Sequence, residues 1–291
     1  MLKLVLPKGS LERATFELFE AADLKVTRGS DREYRGRIED PRIDSVAVLR
    51  PQEIPTYVED GFFDLGVTGE DWVAETGADV VPVTALEYSK QTDLPVKVVL
   101  AVPRESGITE PGQIKPDSRI STEFPNLTKT YFERLDIPVR IFLSYGATEA
   151  KVPSIVDAIV DLTETGATLR RQGLEIIDVL LESRTQLIAN PAAYEDPAKR
   201  EAIDELTILL RGAIDARGRV LMKLNVESAN LDAVVKLLPA MRAPTVSALA
   251  EEGYYAVETI VPKKSINVLI PQLKAVGAED IVELPITKIV H

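Results

Sequence analysis

Acidic and hydroxylated residues are concentrated in the stretch DAIVDLTETGATLRRQGLEI, residues 157–176. Asp157 and Asp161 interrupt an apolar run, and the turn TETGAT follows it. Threonines around Gly166 let successive backbone N–H groups point into one concavity that suits a phosphate group, and a helix starting near Leu169 would add its positive N-terminal end. An acid just ahead of the turn can accept hydrogen bonds from ribose hydroxyls. This spacing fits a sugar-phosphate site and an ordinary strand–turn–helix with a capping threonine about equally well.

Three other polar loops stand at predicted strand ends. Lys8 and Gly9 form a strand-to-helix turn, and Arg13 lies one turn into the helix, so these residues can form a second anion contact. Arg50 stands where another strand ends, and Asp71 follows the glycines of GVTGE. Each loop also has a structural explanation: a solvated turn, a surface salt bridge and an Asx cap, respectively. Because all four loops would face one cleft, we interpret them together as a binding site.

The composition restricts the chemistry that this site can use. The chain has 291 residues, no cysteine and a single histidine, His291, at its C-terminus, where side chains are usually loosely held. Disulfides, thiol catalysis and cysteine-ligated metals are therefore excluded, and a histidine general base is disfavoured. Any metal ion must be bound through oxygen, and Mg²⁺ is the leading candidate. The formal net charge of −12 argues against nucleic-acid binding, which needs clustered Lys and Arg.

The N-terminal sequence MLKLVLPKGSLERA has the features of neither a signal peptide nor a transit peptide. No apolar stretch reaches the length of a membrane span. We therefore expect a cytoplasmic protein that does not associate with membranes.

Short apolar runs alternate with amphipathic segments in the first part of the chain, which indicates a mostly parallel sheet covered on both faces. We expect Ser10 to cap the first helix, and Arg50 and Pro51 to open the second. A short helix follows the third strand at 70–77. The strands predicted in this first series are 2–6, 43–49 and 63–69.

A second series of the same kind begins at residue 96. The segment 175–191 is rich in β-branched residues and is predicted to pair back to the first series, and 196–218 forms one long amphipathic helix. The two series are similar, and the chain returns to the first series late in the sequence. This arrangement predicts a two-lobed body whose ligand cleft lies beyond the strand ends. The second series comprises strands at 96–103, 118–123, 139–146 and 154–162, and a helix at 125–137.

The pattern changes after Gly218 and becomes β-α-β-β-α-β, which is a ferredoxin-like order. The predicted fold class is therefore α/β, with a two-lobed body followed by a small α+β domain. The first lobe comprises residues 1–90 and 183–212, the second lobe comprises 91–182, and the C-terminal domain comprises 213–291.

The segments LPKGSL, LRPQEIPTYVEDGFFDLGVTGEDWV and DAIVDLTETGATLRRQGLEIID resemble the ATP phosphoribosyltransferases that open histidine biosynthesis. The resemblance covers the whole chain. It implies a type II periplasmic-binding-protein-like catalytic body and, as in the long form of the family, an ACT-like C-terminal domain that senses L-histidine. It also implies Mg²⁺, a homodimer, a homohexamer favoured by the inhibitor, and no separate regulatory subunit. The segment APTVSAL (243–249) is our prediction for the neighbourhood of the histidine site.

The family's phosphoribosyl-diphosphate loop matches two acids and the turn that follows them. General phosphoribosyltransferase loops carry two adjacent acids, whereas Val160 precedes Asp161 here and the other acid lies four residues back. Asp157 therefore either orients the ribose or points to the opposite face of the strand as a structural residue. The matching residues are Asp157, Asp161, Thr163, Glu164, Thr165, Gly166, Ala167, Thr168 and Leu169.

The reaction implied by the resemblance transfers a phosphoribosyl group from phosphoribosyl diphosphate to N1 of ATP and releases diphosphate. Residues 163–168 would hold the 5′-phosphate, and Asp161 would orient the ribose hydroxyls. Mg²⁺ would neutralise the leaving diphosphate. The adenine N1 is already a nucleophile, so the reaction needs no strong general base. In this interpretation the diphosphate or the ATP phosphates are bound by Lys8, Arg13 and Arg50, with Gly9 in the same turn, and Asp71 contacts the nucleotide.

Two other functions fit parts of the sequence. A solute-binding receptor shares the two-lobed body, but it needs an export signal or lipid anchor and does not need the TETGAT loop. A phosphoribosyltransferase acting on another base would keep this loop and bind a different acceptor in the first series of loops.

Overall fold

The structure, a computed structural model, describes residues 1–30, 33–86, 88, 95–239 and 243–291. The chain forms two compact units, Met1–Thr207 and Ile208–His291. The lobe boundary predicted between residues 90 and 91 lies outside the described residues.

The first unit contains two β-sheets with helices packed on them. Its strands, in chain order, are β1 (Leu2–Pro7), β2 (Arg35–Gly36), β3 (Ile43–Leu49), β4 (Leu65–Gly69), β5 (Val81–Leu86), β6 (Val96–Pro103), β7 (Arg119–Thr122), β8 (Arg140–Leu143), β9 (Ala158–Thr163), β10 (Leu174–Ser183) and β11 (Thr185–Ala189). The helices that begin in this unit are α1 (Glu12–Ala21), α2 (Ile54–Glu59), α3 (Glu70–Thr76), α4 (Pro125–Arg134), α5 (Ala167–Arg171), α6 (Pro191–Glu195) and α7 (Pro197–Ala216).

The first sheet has the strand order β2-β3-β1-β4-β11-β5. Strand β1 pairs in parallel with β3 and β4, and its register places Pro7 beside Leu49 at the carboxyl ends. Strand β11 is antiparallel to β4 and β5. Every residue of β1 after Lys3 is buried, as expected for a strand covered on both faces.

The second sheet has the strand order β10-β6-β9-β7-β8. Strand β7 is parallel to β8 and β9, whereas β6 is antiparallel to β9 and β10. Along β6, Val98 and Leu100 belong to one core cluster, and Val99 and Ala101 belong to another. The carboxyl ends of β7, β8 and β9 therefore meet at one edge of a sheet that is buried on both faces.

The strands predicted at 2–6, 43–49 and 63–69 are parallel to one another, as expected, but the complete first sheet is mixed, because β2 and β11 run antiparallel to their neighbours. The second sheet is mixed as well. The physical reason lies partly in the segment 175–191, which was expected to pair with the first series. It splits at Arg184 into β10, which pairs with β6 in the second sheet, and β11, which runs antiparallel in the first sheet. The chain thus passes from one sheet to the other through a single residue between the two strands.

The helices predicted at 70–77, 125–137 and 196–218 are confirmed, with α4 ending three residues earlier than predicted. The prediction that Ser10 caps the first helix is wrong: Leu11 occupies the N-cap position of α1 and makes no side-chain cap hydrogen bond. Helix α2 begins at Ile54, because the residues after Arg50 first form a turn.

The second unit has the predicted ferredoxin-like order. Its elements after the end of α7 are β12 (Arg219–Glu227), α8 (Leu231–Leu237), β13 (Thr245–Ala248), β14 (Tyr254–Pro262), α9 (Ile266–Ala275) and β15 (Ala278–Pro285). The strands form an antiparallel sheet in the order β13-β14-β12-β15. Alternate residues of β12, from Val220 to Val226, are buried in one cluster with Val234 of α8 and Leu273 of α9. The predicted fold class, two α/β lobes followed by an α+β domain, is confirmed.

Within the part of the chain that the structure describes, no helix combines the length and the apolar character that spanning a bilayer requires.

Candidate active site

The turn TETGAT lines a pocket of about 240 Å³ at the carboxyl end of β9. We call it the loop pocket. Asp161 and Thr163 alternate along β9 with residues that face the other side of the sheet, and α5 begins directly after Gly166. The structure therefore brings together most of the predicted phosphoribosyl residues. The loop pocket is lined by Val96, Glu149, Asp161, Leu162, Thr163, Glu164, Thr165, Ala167, Thr168 and Leu169.

The turn is held by its own threonines. Thr163 Oγ1 accepts a hydrogen bond from the Gly166 N–H at 2.9 Å, and Thr165 Oγ1 accepts one from the Ala167 N–H at 3.4 Å. Gly166 has φ of +70°, and a Cβ there would lie 2.8 Å from Arg170 Nη1. Glycine is therefore required by both the backbone conformation and the space. The helix α5 begins at Ala167, two residues before the predicted start.

Carboxylate oxygens are the hard ligands in the loop pocket. Glu164 Oε1 is a buried atom that no donor reaches among the described residues, so it can accept a hydrogen bond from a ligand or a metal-bound water. Asp161 and Glu149 also line the pocket. These donors suit Mg²⁺, although the described residues contain no group of three or more acidic, His or Cys side chains that could hold a metal by itself. The residues fit a metal whose coordination is completed by a substrate.

Asp157 is not brought to the loop pocket. It precedes β9 at the end opposite the turn, and four residues of strand place its Cα roughly 13 Å from that of Asp161. Its Oδ1 accepts a hydrogen bond from Arg119 Nη2 at 2.8 Å, and its Oδ2 accepts from the Arg119 N–H and Nε at 2.8 and 3.1 Å. These bonds lower the pKa of Asp157. Its placement supports the structural role, in which it joins β9 to β7.

Lys8 and Arg50 lie next to each other at the carboxyl edge of the first sheet. The Lys8 N–H donates to the Leu49 carbonyl at 2.6 Å, which continues the parallel pairing of β1 and β3 up to Arg50. Lys8 Nζ lies 3.9 Å from the centroid of the Tyr34 ring, a cation–π contact. Two cations at one strand edge can attract a polyphosphate.

Gly9 and Arg13 are placed differently from Lys8. The Gly9 N–H donates to Glu12 Oε2 at 3.2 Å, and Glu12 also contacts Arg28 at 2.5 Å, so an acidic side chain of the protein already lies at the start of α1. The Arg13 side chain is 88% exposed and pairs with Glu17 at 3.4 Å. Neither Gly9 nor Arg13 lines either of the two pockets described in this section.

Asp71 is buried at the start of α3, where Gly69 is the N-cap residue. The Ser183 hydroxyl donates to Asp71 Oδ1 at 2.6 Å and accepts from the Asp71 N–H at 3.0 Å. Burial raises the pKa of this carboxyl. The predicted Asx cap is absent, because Asp71 itself stands in the first turn. Its contacts join α3 to the end of β10, and Asp71 lines neither pocket.

A second, larger pocket of about 690 Å³ lies between the strand ends of the two sheets. We call it the intersheet pocket. The sequence interpretation included only Arg50 from its lining and missed the loop after β8, because the strand was predicted to continue to Gly146 instead of ending at Leu143. The intersheet pocket is lined by Arg50, Gln52, Glu53, Trp72, Glu75, Thr76, Glu123, Pro125, Asn126, Leu143, Ser144 and Tyr145.

Glu75 joins the two sides of the intersheet pocket. Its carboxylate accepts hydrogen bonds from the N–H groups of Asn126 and Leu127, both at 2.9 Å, and its carbonyl accepts from Asn126 Nδ2 at 2.9 Å. Beside it, the Trp72 and Phe124 rings are stacked with centroids 4.6 Å apart. Glu75 on α3, which follows β4 of the first sheet, therefore caps the N-terminus of α4, which follows β7 of the second sheet.

The comparisons with known proteins agree with this geometry. The family model for ATP phosphoribosyltransferase matches residues 50–212, which include Arg50, the α3–α4 contact and the TETGAT loop. The chain belongs to the ATP phosphoribosyltransferase family. The family's C-terminal domain model matches residues 216–288, which correspond to most of the second unit.

Full-length relatives carry the family name. The ATP phosphoribosyltransferase of Desulforudis audaxviator is 47% identical over 291 residues, which cover 99% of each chain. That of Solibacter usitatus is 46% identical and covers 100% of this chain and 99% of its own. Among solved structures, the ATP phosphoribosyl transferase (HisG:HisZ) complex from Thermotoga maritima matches with a TM-score of 0.62 and 31% identity, over 72% of this chain and 97% of the other.

Proposed function

We propose that this protein transfers the phosphoribosyl group of phosphoribosyl diphosphate to N1 of ATP, the first step of histidine biosynthesis. The observation that carries the proposal is the loop pocket, in which Asp161 and the TETGAT turn meet at a strand end. The full-length relatives named as ATP phosphoribosyltransferases support the choice of acceptor.

In the loop pocket, the hydroxyls of Thr163, Thr165 and Thr168 and the first amides of α5 bind the 5′-phosphate. The N–H groups of Thr168 and Leu169, which follow the Ala167 N–H bonded to Thr165 Oγ1, have no carbonyl acceptor within their own helix and can donate to an anion. Asp161 accepts hydrogen bonds from the ribose hydroxyls, and Glu164 and Glu149 supply further acceptors on the pocket wall. The ribose is thereby fixed with its anomeric carbon toward the acceptor.

Lys8 and Arg50 bind the phosphates of ATP or the diphosphate at the edge of the first sheet. Gly9 belongs to the same turn as Lys8, and Arg13 follows in the first turn of α1 as a further cation. The large intersheet pocket takes the nucleotide, because Arg50 supplies a cation to its wall and its volume suits a ligand of that size. Asp71 precedes Trp72, which lines this pocket, and its hydrogen bonds with Ser183 hold the start of α3 in place. Asp161, Glu149 and Glu164 of the loop pocket would help to hold Mg²⁺, which would supply charge neutralisation for the leaving diphosphate.

During the transfer, N1 of adenine forms a bond to the anomeric carbon as the bond from that carbon to the diphosphate oxygen breaks. The electron pair leaves with the diphosphate, and the ribose passes through an oxocarbenium-like state. The residues of the two pockets act by positioning both reactants and by stabilising this charge. A strong general base is not needed, which agrees with the absence of cysteine and the single histidine.

The second unit, Ile208–His291, senses L-histidine and inhibits the enzyme by feedback. The Thermotoga maritima complex contains a HisZ component, and its matched chain covers 72% of this chain. We propose that the additional C-terminal unit takes the regulatory part here, so that the enzyme is a cytoplasmic homodimer or homohexamer that needs no separate regulatory subunit.

The test is a diphosphate-release assay with purified protein, Mg²⁺, ATP and phosphoribosyl diphosphate, with each substrate omitted in turn and with L-histidine added. Release that needs both substrates and Mg²⁺, and that falls with histidine, is expected. Asp161→Asn should lower kcat/KM by about a hundredfold, because it weakens the acceptor for the ribose hydroxyls. Release that does not depend on ATP would contradict the acceptor, and unchanged activity of Asp161→Asn would contradict the site.

A further inference from the structure

Tyr145 is an exposed aromatic residue on the wall of the intersheet pocket. Tyr145 is 93% exposed, more than any other large apolar or aromatic residue in the described part of the chain. A single exposed aromatic ring is common on protein surfaces, but Leu143, 52% exposed, lines the same pocket, so the two side chains form an exposed apolar wall of the kind that contacts ligands. Its position directly after β8 places it at the strand-end edge that also carries the loop pocket.

The loop that carries Tyr145 is fixed by buried polar contacts. Lys151 Nζ donates to Ser144 Oγ at 2.5 Å, and the hydroxyls of Ser144 and Thr148 are 2.8 Å apart. Ser144 and Thr148 are only 3% and 2% exposed. The same loop contributes Glu149 to the loop pocket. Tyr145 is thus held at a defined distance from the proposed phosphoribosyl site.

Among the residues that the structure describes, two aromatic side chains line the intersheet pocket, namely Trp72 and Tyr145. One face of Trp72 is stacked on Phe124, with 29° between the ring planes. The exposed ring of Tyr145 has its faces available to a planar ligand. Arg50 comes from the first sheet and Tyr145 from the second, so a nucleotide in this pocket can place its phosphates at Arg50 and its base at Tyr145.

We propose that Tyr145 binds the purine ring of the acceptor nucleotide by stacking, and so sets the affinity for ATP. This inference rests on the proposed function, since it takes the intersheet pocket as the nucleotide pocket. Stacking on an aromatic ring contributes to affinity for any base, because every base has a π face. Tyr145 therefore holds the adenine ring, while the fixed loop keeps that ring in line with the ribose in the loop pocket.

The experiment compares Tyr145→Ala and Tyr145→Phe with wild type, and uses Phe142→Ala as the matched control. Phe142 is a 48% exposed aromatic on β8, the strand that leads into the loop of Tyr145, and lines neither pocket. We expect Tyr145→Ala to raise KM for ATP by about tenfold or more, with kcat and KM for phosphoribosyl diphosphate within about twofold of wild type. Tyr145→Phe should restore KM for ATP, because it keeps the ring, and Phe142→Ala should match wild type.

Calorimetric titration of each variant with ATP alone separates this inference from the proposed function. Weaker ATP binding by Tyr145→Ala, with Tyr145→Phe and Phe142→Ala unchanged, supports the stacking contact even if the wild type transfers no phosphoribosyl group. Equal ATP affinity in wild type and Tyr145→Ala would overturn the inference even if the transfer reaction is observed. Equal weakening in Tyr145→Ala and Phe142→Ala would also overturn it, since the effect would then belong to the strand.

Discussion

Asp157 and Asp161 are the same residue type, one just before β9 and one within it, yet the structure gives them different surroundings. Asp161 lines the loop pocket, whereas both oxygens of Asp157 accept hydrogen bonds from Arg119. Spacing alone could not decide this, because the partner Arg119 lies on β7, which is 38 residues away in the sequence. A carboxylate that is already paired in this way has little capacity left for a ribose.

We predict that Asp157→Asn keeps kcat/KM within about twofold of wild type, because the residue is remote from the loop pocket. The same substitution should slightly destabilise the fold by weakening an exposed ion pair. Steady-state kinetics with both substrates provide the measurement, and Asp161→Asn, the same substitution four residues later, is the matched variant. A loss of activity as large as that of Asp161→Asn would return Asp157 to the site.

Gly166→Ala is predicted to impair phosphoribosyl diphosphate binding. The added Cβ would meet Arg170 Nη1 at 2.8 Å and Ile176 Cδ1 at 2.9 Å, and the φ of +70° disfavours any side chain. We expect KM for phosphoribosyl diphosphate to rise by about tenfold, since the turn must shift by a fraction of an ångström or more. Gly112→Ala is the control, because no atom lies within 4 Å of its added Cβ. Equal KM values in both variants would contradict the role of the turn.

At the scale of elements, the contact between α3 and α4 is the feature that joins the two sheets beside the intersheet pocket. Helix α4 begins with Pro125, and the N–H groups that follow have no acceptor within the helix. Glu75, only 7% exposed, accepts from two of them. Its negative charge also complements the positive end of the α4 dipole.

Glu75→Ala should lower the free energy of unfolding by about 2 kcal/mol, because two partly buried N–H groups at the start of α4 lose a charged acceptor. Urea denaturation followed by circular dichroism gives the measurement. Glu133→Ala is the control: this glutamate is on α4, is 65% exposed and pairs with Lys129 at 3.8 Å. A similar small loss in both variants would show that the cap contributes little.

The Glu75 contact should also depend on pH. Burial raises the pKa of Glu75 above its ordinary value of 4.5, so the folded protein keeps this proton to a higher pH than the unfolded chain does. The stability contributed by this difference is present below the unfolded pKa and is lost as the pH rises through the folded pKa. The stability of wild type relative to Glu75→Gln should therefore fall as the pH rises above 4.5 and through the raised pKa of the folded protein. A constant difference across this range would contradict the assignment.

Periodicity predicted the elements well where each element's own residues determine it. The apolar runs at β1, β6 and β9 are strands, and the stripe along α7 forms one long helix. The sequence did not reveal that the apolar segment 175–191 divides between two sheets at Arg184, because both halves have the same β-branched composition. Strand partners depend on contacts far apart in sequence, which no local pattern contains.

The candidate site was predictable to a similar extent. The threonines and Gly166 of TETGAT predict a turn after the strand, and the structure places this turn at the end of β9. Glu149 and Tyr145 were missed, because they follow a short strand whose end was placed three residues too late. The contacts of Asp71 and Glu75 could not be anticipated, since their partners are 112 and 51 residues away.

At the scale of the whole molecule, the second unit has a core of its own, built from β12, β14 and β15 and from α8 and α9. None of the residues in the loop pocket or the intersheet pocket belongs to it. A change confined to this core should therefore alter regulation more than catalysis.

Leu273→Ala tests this separation. Leu273 is fully buried in α9, and its truncation should cost about 3 kcal/mol within the second unit. We expect weaker inhibition by histidine, faster proteolysis after residue 207, and kcat without histidine within about twofold of wild type. Val268→Ala on the same helix is the control, because Val268 is 63% exposed. Loss of basal activity in Leu273→Ala alone would show that catalysis needs an intact second unit.

The position of β11 between β4 and β5 sets an order for folding on the ribosome. Strand β5 ends at Leu86, and its neighbour in the sheet, β11, begins at Thr185. At about 5–20 residues per second, the ribosome needs roughly 5 to 20 seconds to synthesise the residues between them. During that interval the nascent chain carries strands β4 and β5 with edges that β11 will later cover. The second sheet, whose strands all emerge before β11, can be complete first. A chaperone that shields strand edges would therefore act on the N-terminal part of this chain until the second sheet has emerged.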